Sequence, residues 1–258
     1  MNNSARRELA VVIMAAGKGT RMKNAEKAKV MYELNGQPMI HYVADLAYDL
    51  KASRVILVVG YKKETVEKYI RKSHPEAEFA VQEKQLGTGH AVLQTKPLLQ
   101  DFNGDVLVLS GDVPLLRHST IDALHTIHMQ TGAVGTILTA DLDDPAGYGR
   151  IVRNEGHSVK KIVEHRDATP EELGVREINS GIYLFRNKEL FDGLEHLQPH
   201  NVQQEYYLTD VFEYFWNHRW TVAALKAPHP DEIRGVNTVG QLSEAESVAV
   251  QRVHGRSS

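Results

Sequence analysis

The chain has 258 residues, 42% of them apolar and 24% charged, values that suit a soluble globular protein with a sizeable core. Its 30 basic and 33 acidic residues leave a net charge of −3, so no overall field marks nucleic acid or an anionic membrane as the main partner, and any affinity for phosphate must be built locally. Without cysteine there is no disulfide and no thiolate metal site or nucleophile.

The opening MNNSARREL carries no apolar signal segment, and no run approaches a membrane span, so a cytoplasmic location is expected. Residues 10–14 read as a buried strand that ends in the small-residue turn Ala15-Ala16-Gly17-Lys18-Gly19-Thr20. Pro38 opens a helical stretch in which Ile40, Val43, Ala44, Ala47 and Leu50 form one stripe. RVILVVG (54–60) is a doubly buried strand, 62–72 an exposed helix, 78–82 a short strand and 89–99 a helix. DVLVLSGD (105–112) is again a buried strand. The long crossovers predict a right-handed parallel β-α-β arrangement.

Beyond residue 117 the pattern changes. Strands are expected at 133–142, 150–154, 159–165, 178–186 and 221–227, the second and third joined by a turn at Asn154-Glu155-Gly156-His157. Helices are expected near 188–196, 207–218 and 238–253. No linker or internal repeat divides the chain, which predicts one domain over 1–258. Its nucleotide-binding half spans about 8–117, a second half about 118–237, and a closing helix 238–254.

A glycine-rich turn at the end of a buried strand exposes backbone N–H groups suited to phosphate oxygens, and Arg21 and Lys29 lie close enough to neutralise them. The dinucleotide fingerprint fails here for want of a third glycine. The P-loop fails because Gly17-Lys18 is followed by Gly19 and residue 12 is valine. Taken alone, the turn is equally a tight strand exit with solvated basic residues.

Other stretches break the tie. AAGKGTRM (15–22) followed by a lysine resembles the sugar-nucleotide pyrophosphorylases. QEKQLGTGHA (82–91), LSGDVPLL (109–116), DDPAGYGRIV (143–152), VEHRDAT with EINSGIY (163–183), QEYYLTDV (204–211) and GVN (235–237) resemble, in order, the branch that uridylylates N-acetylglucosamine 1-phosphate. The resemblance implies an α/β fold with a Rossmann-like mixed, mostly parallel sheet of the nucleotide-diphospho-sugar transferase type. It also implies synthesis of UDP-N-acetylglucosamine and pyrophosphate from UTP and the sugar phosphate, with Mg²⁺ as cofactor and small molecules as partners.

The same resemblance implies a role for each residue. Met14, Ala15, Ala16 and Gly17 would line the nucleotide pocket, while Arg21 and Lys29 hold phosphate oxygens. The family has Leu-Pro-Lys where this chain has Lys27-Ala28-Lys29, which leaves Lys27 as the alternative; Lys29 is preferred because KVMYEL follows it. Gln82 would read the base, with Gln85 as the nearby alternative and Gly87 and Thr88 completing the contact. Ser110 stands where the enterobacterial enzymes have tyrosine, beside Gly111. Asp112, at the end of a buried strand, and the late Asn237 would hold the metal; a lone strand-end aspartate is otherwise a turn cap. Gly149, Glu164 and Asn179 would bind the sugar, against readings as a solvated strand residue for Glu164 and a bulge or cap for Asn179.

Tyr206, Tyr207 and Leu208 read as core anchors, with Thr209 and Asp210 near the sugar. The histidines offer no H-x-x-x-H on a helix with an attendant carboxylate, and His125 and His128, three apart with no third ligand, read as exposed or packed side chains. Family members carry a second half of hexapeptide repeats that performs acetyl transfer and trimerises. None occurs up to Ser258, so neither acetyl transfer nor that route to an oligomer is expected. The competing readings are a transferase for another base or sugar, and a non-catalytic nucleotide-sugar-binding subunit.

Overall fold

The computed structural model describes residues 7–22 and 26–254; the first six residues of the opening segment MNNSARREL lie outside them. In chain order the first half comprises β1 (Leu9–Ala15), the hairpin β2 (Glu33–Leu34) and β3 (Gln37–Pro38), α1 (Met39–Asp49), β4 (Arg54–Val59), α2 (Lys63–Ser73), β5 (Glu78–Val81), α3 (Thr88–Leu93), α4 (Lys96–Leu99) and β6 (Asp105–Ser110). Next come α5 (His118–Thr131), β7 (Gly135–Asp141), β8 (Arg150–Arg153), β9 (Val159–Val163), α6 (Pro170–Leu173) and β10 (Glu177–Arg186). The chain closes with α7 (Asn187–Glu195), α8 (Asp210–Asn217), β11 (Val222–Lys226) and α9 (Val239–His254).

Among the described residues, nine strands form one sheet with the order β11-β7-β10-β6-β1-β4-β5, and β8 and β9 branch from β10. The run β5-β4-β1-β6 is parallel, as the apolar strands and long crossovers require. β10 runs antiparallel to both β6 and β7, which makes the sheet mixed. Along β1, Val11 and Ile13 pack into the layer that contains α1 and α2. Ala10 and Val12 pack into the opposite layer, with Leu190, Phe212 and Phe215. All four are fully buried, and each branched side chain so removed from water contributes about 1.5–3 kcal/mol.

The helix expected over 89–99 is two helices. Pro97 has no N–H to donate to the carbonyl four residues earlier, so α3 stops at Leu93 and the chain restarts at Lys96. The β2–β3 hairpin and α6 are too short to show a period and were not expected. His125 and His128 are packed rather than exposed, with ring nitrogens 3.8 and 3.6 Å from the oxygens of buried Asp105. No helix among the described residues is long and apolar enough to cross a membrane.

Candidate active site

The site forms at the C-terminal ends of β1 and β6, where open parallel sheets bind ligands. β1 runs out into Ala16 and Gly17, and a side chain on Gly17 would meet nothing within 4 Å, so its backbone faces open space. Gly19 has φ +64°, and a Cβ there would come within 2.5 Å of the Lys29 Cβ. The glycine therefore lets the loop close over the Lys29 stem and aim its ammonium.

β6 delivers Asp112 through a second glycine. A Cβ on Gly111 would sit 3.0 Å from the Met14 carbonyl oxygen and from the Ile40 and Val30 side chains, while its N–H donates to that carbonyl at 3.0 Å. Asp112 is thereby held against the end of β1. Its own carbonyl accepts from Val236 N–H at 2.9 Å, which brings in the segment that carries Asn237. That segment is fixed by α9, whose Leu242, Ala245 and Val248 pack with Leu34, Met39 and Leu115. The start of α9 is capped reciprocally. Gln241 Oε1 accepts from the N–H groups of Asn237 and Thr238 at 2.8 and 3.1 Å, and Thr238 Oγ1 accepts from Gln241 N–H at 3.2 Å.

Three chain segments thus meet in one polar cluster. Lys29 Nζ is paired with the Asp112 carboxylate and donates to Asn237 Oδ1 at 2.7 Å, and Arg21 donates to the same oxygen at 2.6 Å. The Lys29 and Asp112 side chains keep 14% and 21% of their exposure, enough to meet a ligand from solvent. Lys27 does not join them: it pairs with Glu33 at 3.3 Å over the Tyr32 ring. A carboxylate and an amide carbonyl are hard oxygen donors of the kind Mg²⁺ takes.

Beside this cluster a cavity of about 290 Å³ is lined by Met14, Ala15, Ala16, Gly17, Lys29, Gln82, Gly87, Thr88, Ser110 and Asp112, all singled out in the sequence. Val30, Gln85, Ala91 and Glu205 also line it. Gln82 is only 3% exposed; its amide nitrogen donates to the Gly87 carbonyl at 3.0 Å and lies 3.1 Å from His90 Nδ1. Burial holds the His90 pKa below the usual imidazole range, and its other ring nitrogen lies 3.2 Å from the Gln94 amide nitrogen. The bond to Gly87 fixes which end of the amide is nitrogen, and Gln82 Oε1 is the acceptor it offers a ligand. Gln85 is exposed by comparison. Gly87 has φ +110°, and a Cβ there would lie 2.5 Å from the Tyr206 carbonyl, so only glycine suits the turn.

Sequence reasoning missed His90 and Glu205. His90 lies within the quoted 82–91 stretch, but a histidine one turn into a helix carries no signal of the amide it orients.

Gly149, Glu164 and Asn179 do not line this cavity; they form a second group, Gly149 just before β8, Glu164 just after β9 and Asn179 on β10. The Gly149 carbonyl accepts from Asn179 N–H at 2.9 Å, and a Cβ on Gly149 would be 3.4 Å from Asn179 Cβ. β10 carries a bulge between Asn179 and Tyr183, with Gly181 at φ +79°, where a Cβ would stand 3.4 Å from Ser110 Oγ. The bulge lays the Asn179 segment against the end of β6. The Asn179 amide donates to Tyr183 Oη at 2.7 Å and its Oδ1 accepts from Gly181 N–H at 3.2 Å.

Glu164 accepts from Thr209 Oγ1 at 3.1 Å, and Thr88 Oγ1 accepts from Leu208 N–H at 3.0 Å, so the 204–211 stretch bridges both groups. Burial raises the Glu164 pKa; the neighbouring Asp167 adds to this and the Thr209 bond opposes it. Burial together with Glu213, Glu164 and Asp167 pushes Asp210 up to about 7. Of the expected anchors, Tyr207 and Leu208 are buried. Tyr206 is half-buried and acts through its backbone, which bonds Leu86 and Gly89.

The parallel part of the sheet thus presents a glycine-lined cavity beside two cations, a carboxylate and an amide, an arrangement chemically suited to phosphate oxygens. Residues 10–229 match the nucleotidyl transferase family, and the chain belongs to that family. It is 46% identical over 242 residues to the bifunctional protein GlmU of Geobacillus sp. (strain WCH70), a match covering 94% of this chain and 52% of the relative. It is 45% identical over 246 residues to the bifunctional protein GlmU of Pelotomaculum thermopropionicum, with 95% and 53% covered. The chain therefore spans about half the length of the curated relatives it matches. A solved UDP-glucose pyrophosphorylase complexed with UDP-glucose shares the fold, with TM-score 0.77 and 20% identity over 95% of this chain and 99% of that one.

Proposed function

We propose that this chain transfers a uridylyl group from UTP to N-acetylglucosamine 1-phosphate. A phosphate oxygen of the sugar attacks the α-phosphorus in line. The new P–O bond forms as the bond to the β-phosphate bridging oxygen breaks, and pyrophosphate leaves with that electron pair. The attacking phosphate is already ionised at neutral pH, so no general base is required. Catalysis is then positioning and charge stabilisation.

The observation that carries this reading is the meeting of Arg21, Lys29, Asp112 and Asn237 at the edge of the Met14–Gly17 cavity. Arg21 and Lys29 bind the phosphate oxygens and stabilise charge on the departing pyrophosphate. Asp112 and Asn237 are the residues that would hold Mg²⁺, which when bound supplies further neutralisation of the phosphates. Gln82 Oε1 accepts from the imide N–H of uracil, a group cytosine lacks. Gly149, Glu164 and Asn179 take the sugar, where Glu164 and Asn179 offer acceptors and donors to hydroxyls and the acetamido group.

Pyrophosphate release from UTP and N-acetylglucosamine 1-phosphate with Mg²⁺, run beside other triphosphates and other sugar phosphates, tests the reading. Release confined to that pair supports it. Faster release with another base or sugar replaces the specificity but keeps the reaction, and nucleotide binding without release from any pair would replace the reaction with a binding role.

A further inference from the structure

No spacing in the sequence links His41 to His74, but the fold brings the two together with a carboxylate. His41 and Asp45 stand four residues apart on α1 and so share one face. His74 comes just after the last turn of α2, fixed by its N–H donating to Ile70 O at 2.7 Å. His41 Nε2 lies 3.4 Å from Asp45 Oδ2 and His74 Nε2 lies 2.9 Å from Asp45 Oδ1, and one ligand atom from each of the three falls within 4.8 Å of the others. From these positions we infer a transition-metal site, suited to Zn²⁺, bridging α1 and the end of α2.

The distances fit the chemistry. Ligands at about 2.0–2.1 Å from a tetrahedral centre are separated by about 3.3–3.4 Å, and the two histidines bracket the Asp45 carboxylate at 3.4 and 2.9 Å, so side-chain adjustments of up to about 1.5 Å bring one atom of each onto a shared ion. Two imidazoles and a carboxylate are a borderline-soft set that suits Zn²⁺ and its neighbours in the first row, whereas Mg²⁺ prefers oxygen alone. The rings are also held in place. The Tyr48 ring stacks on His74 at 4.4 Å with planes 6° apart, and the edges of Tyr42 and Tyr69 meet His41 at 6.1 and 6.0 Å.

The hydroxyls of Tyr42 and Tyr69 are already committed to Leu34 O and Gln37 Oε1, so the fourth coordination position falls to water. Partial exposure of all three ligands gives an ion a path in. None of the three lines the nucleotide cavity. The site therefore acts as a clamp between α1 and α2, the two helices whose Val43, Ala44, Val66 and Ile70 cover one face of β1 and β4.

Zn²⁺ titration of the untagged, chelator-treated full chain by calorimetry, with Co²⁺ absorption as a reporter of geometry, tests this. One equivalent should bind, Co²⁺ should give a tetrahedral visible spectrum, and His41→Gln or His74→Gln should each weaken binding at least tenfold. Both variants should keep the wild-type circular dichroism and Mg²⁺-dependent turnover, which separates a lost ligand from a lost fold. Absence of stoichiometric binding would overturn the inference. So would Zn²⁺ affinity unchanged in both variants, since the ion would then sit elsewhere, for example beside Asp105 or Asp112.

Discussion

Lys29 Nζ lies 2.7 Å from Asn237 Oδ1, across 208 positions of sequence, and the same ammonium pairs with Asp112. A single lysine thus joins the turn after β1, the end of β6 and the approach to α9. If it stabilises phosphate charge in the transition state, Lys29→Ala should lower kcat by about 10²–10³-fold, the usual loss for one preorganised donor. Lys27, paired with Glu33 at the surface, should change the rate by less than about twofold when replaced by alanine. Steady-state kinetics on the two variants distinguish them, and equal losses would show that the two lysines share the role.

Asp112 and Asn237 should separate in their metal dependence. Asp112→Ala removes the carboxylate of the polar cluster and should abolish Mg²⁺-supported turnover. Asn237→Ala keeps that carboxylate and should shift the Mg²⁺ concentration for half-maximal rate upward by about tenfold. Chelation of Mg²⁺ should silence the wild type reversibly. A Mg²⁺ titration of initial rates reads all three outcomes.

The turn at Gly87 couples stability to nucleotide binding. Gly87→Ala places a Cβ within 2.5 Å of the Tyr206 carbonyl at φ +110°, a strain of about 1–3 kcal/mol. The thermal midpoint should fall by about 2–12 °C, at about 2–4 °C per kcal/mol for a chain of this size. Gln82, whose amide is anchored on the Gly87 carbonyl, should lose its orientation with the turn, so KM for UTP should rise in the same variant. Gln82→Ala should also lower the midpoint, because it leaves the Gly87 carbonyl without its donor, and should reduce the preference for UTP over CTP by about 10–100-fold.

The parts legible in the sequence are those whose physics is local. Strands buried on both faces, such as Ala10–Ile13 and Val106–Leu109, are apolar runs in any context. The small residues just beyond them, Gly17 after the first and Gly111-Asp112 after the second, fall where such sheets bind ligands. The resemblance of the ordered motifs supplied the rest of the site residues. The hidden parts depend on the chain coming back to itself. His90 matters because its ring meets Gln82, and Glu205 because Tyr206 N–H bonds the Leu86 carbonyl and draws it to the cavity wall. His41, Asp45 and His74 form a group only after α1 and α2 lie side by side. The break at Pro97 was readable from the missing N–H alone, yet the apolar spacing from Gly89 to Leu99 conceals it.

Asp210 begins α8 with its carboxyl buried near Glu213, Glu164 and Asp167, and its pKa stands at about 7 against an ordinary 3.8. A carboxyl whose folded pKa is raised binds its proton more tightly in the folded chain. Its contribution is fully present below about pH 4 and is lost as pH rises toward 7, because the unfolded chain ionises first. Solvent screening at this partly exposed position, together with the favourable charge at a helix N-terminus, reduces the effect to about 1–2 kcal/mol. Asp210→Asn keeps the neutral shape at every pH. It should therefore match the wild type near pH 4 and exceed its stability by that amount near pH 8. Denaturant unfolding at the two pH values measures the difference, and an equal gain at both would trace the effect to packing rather than to the proton.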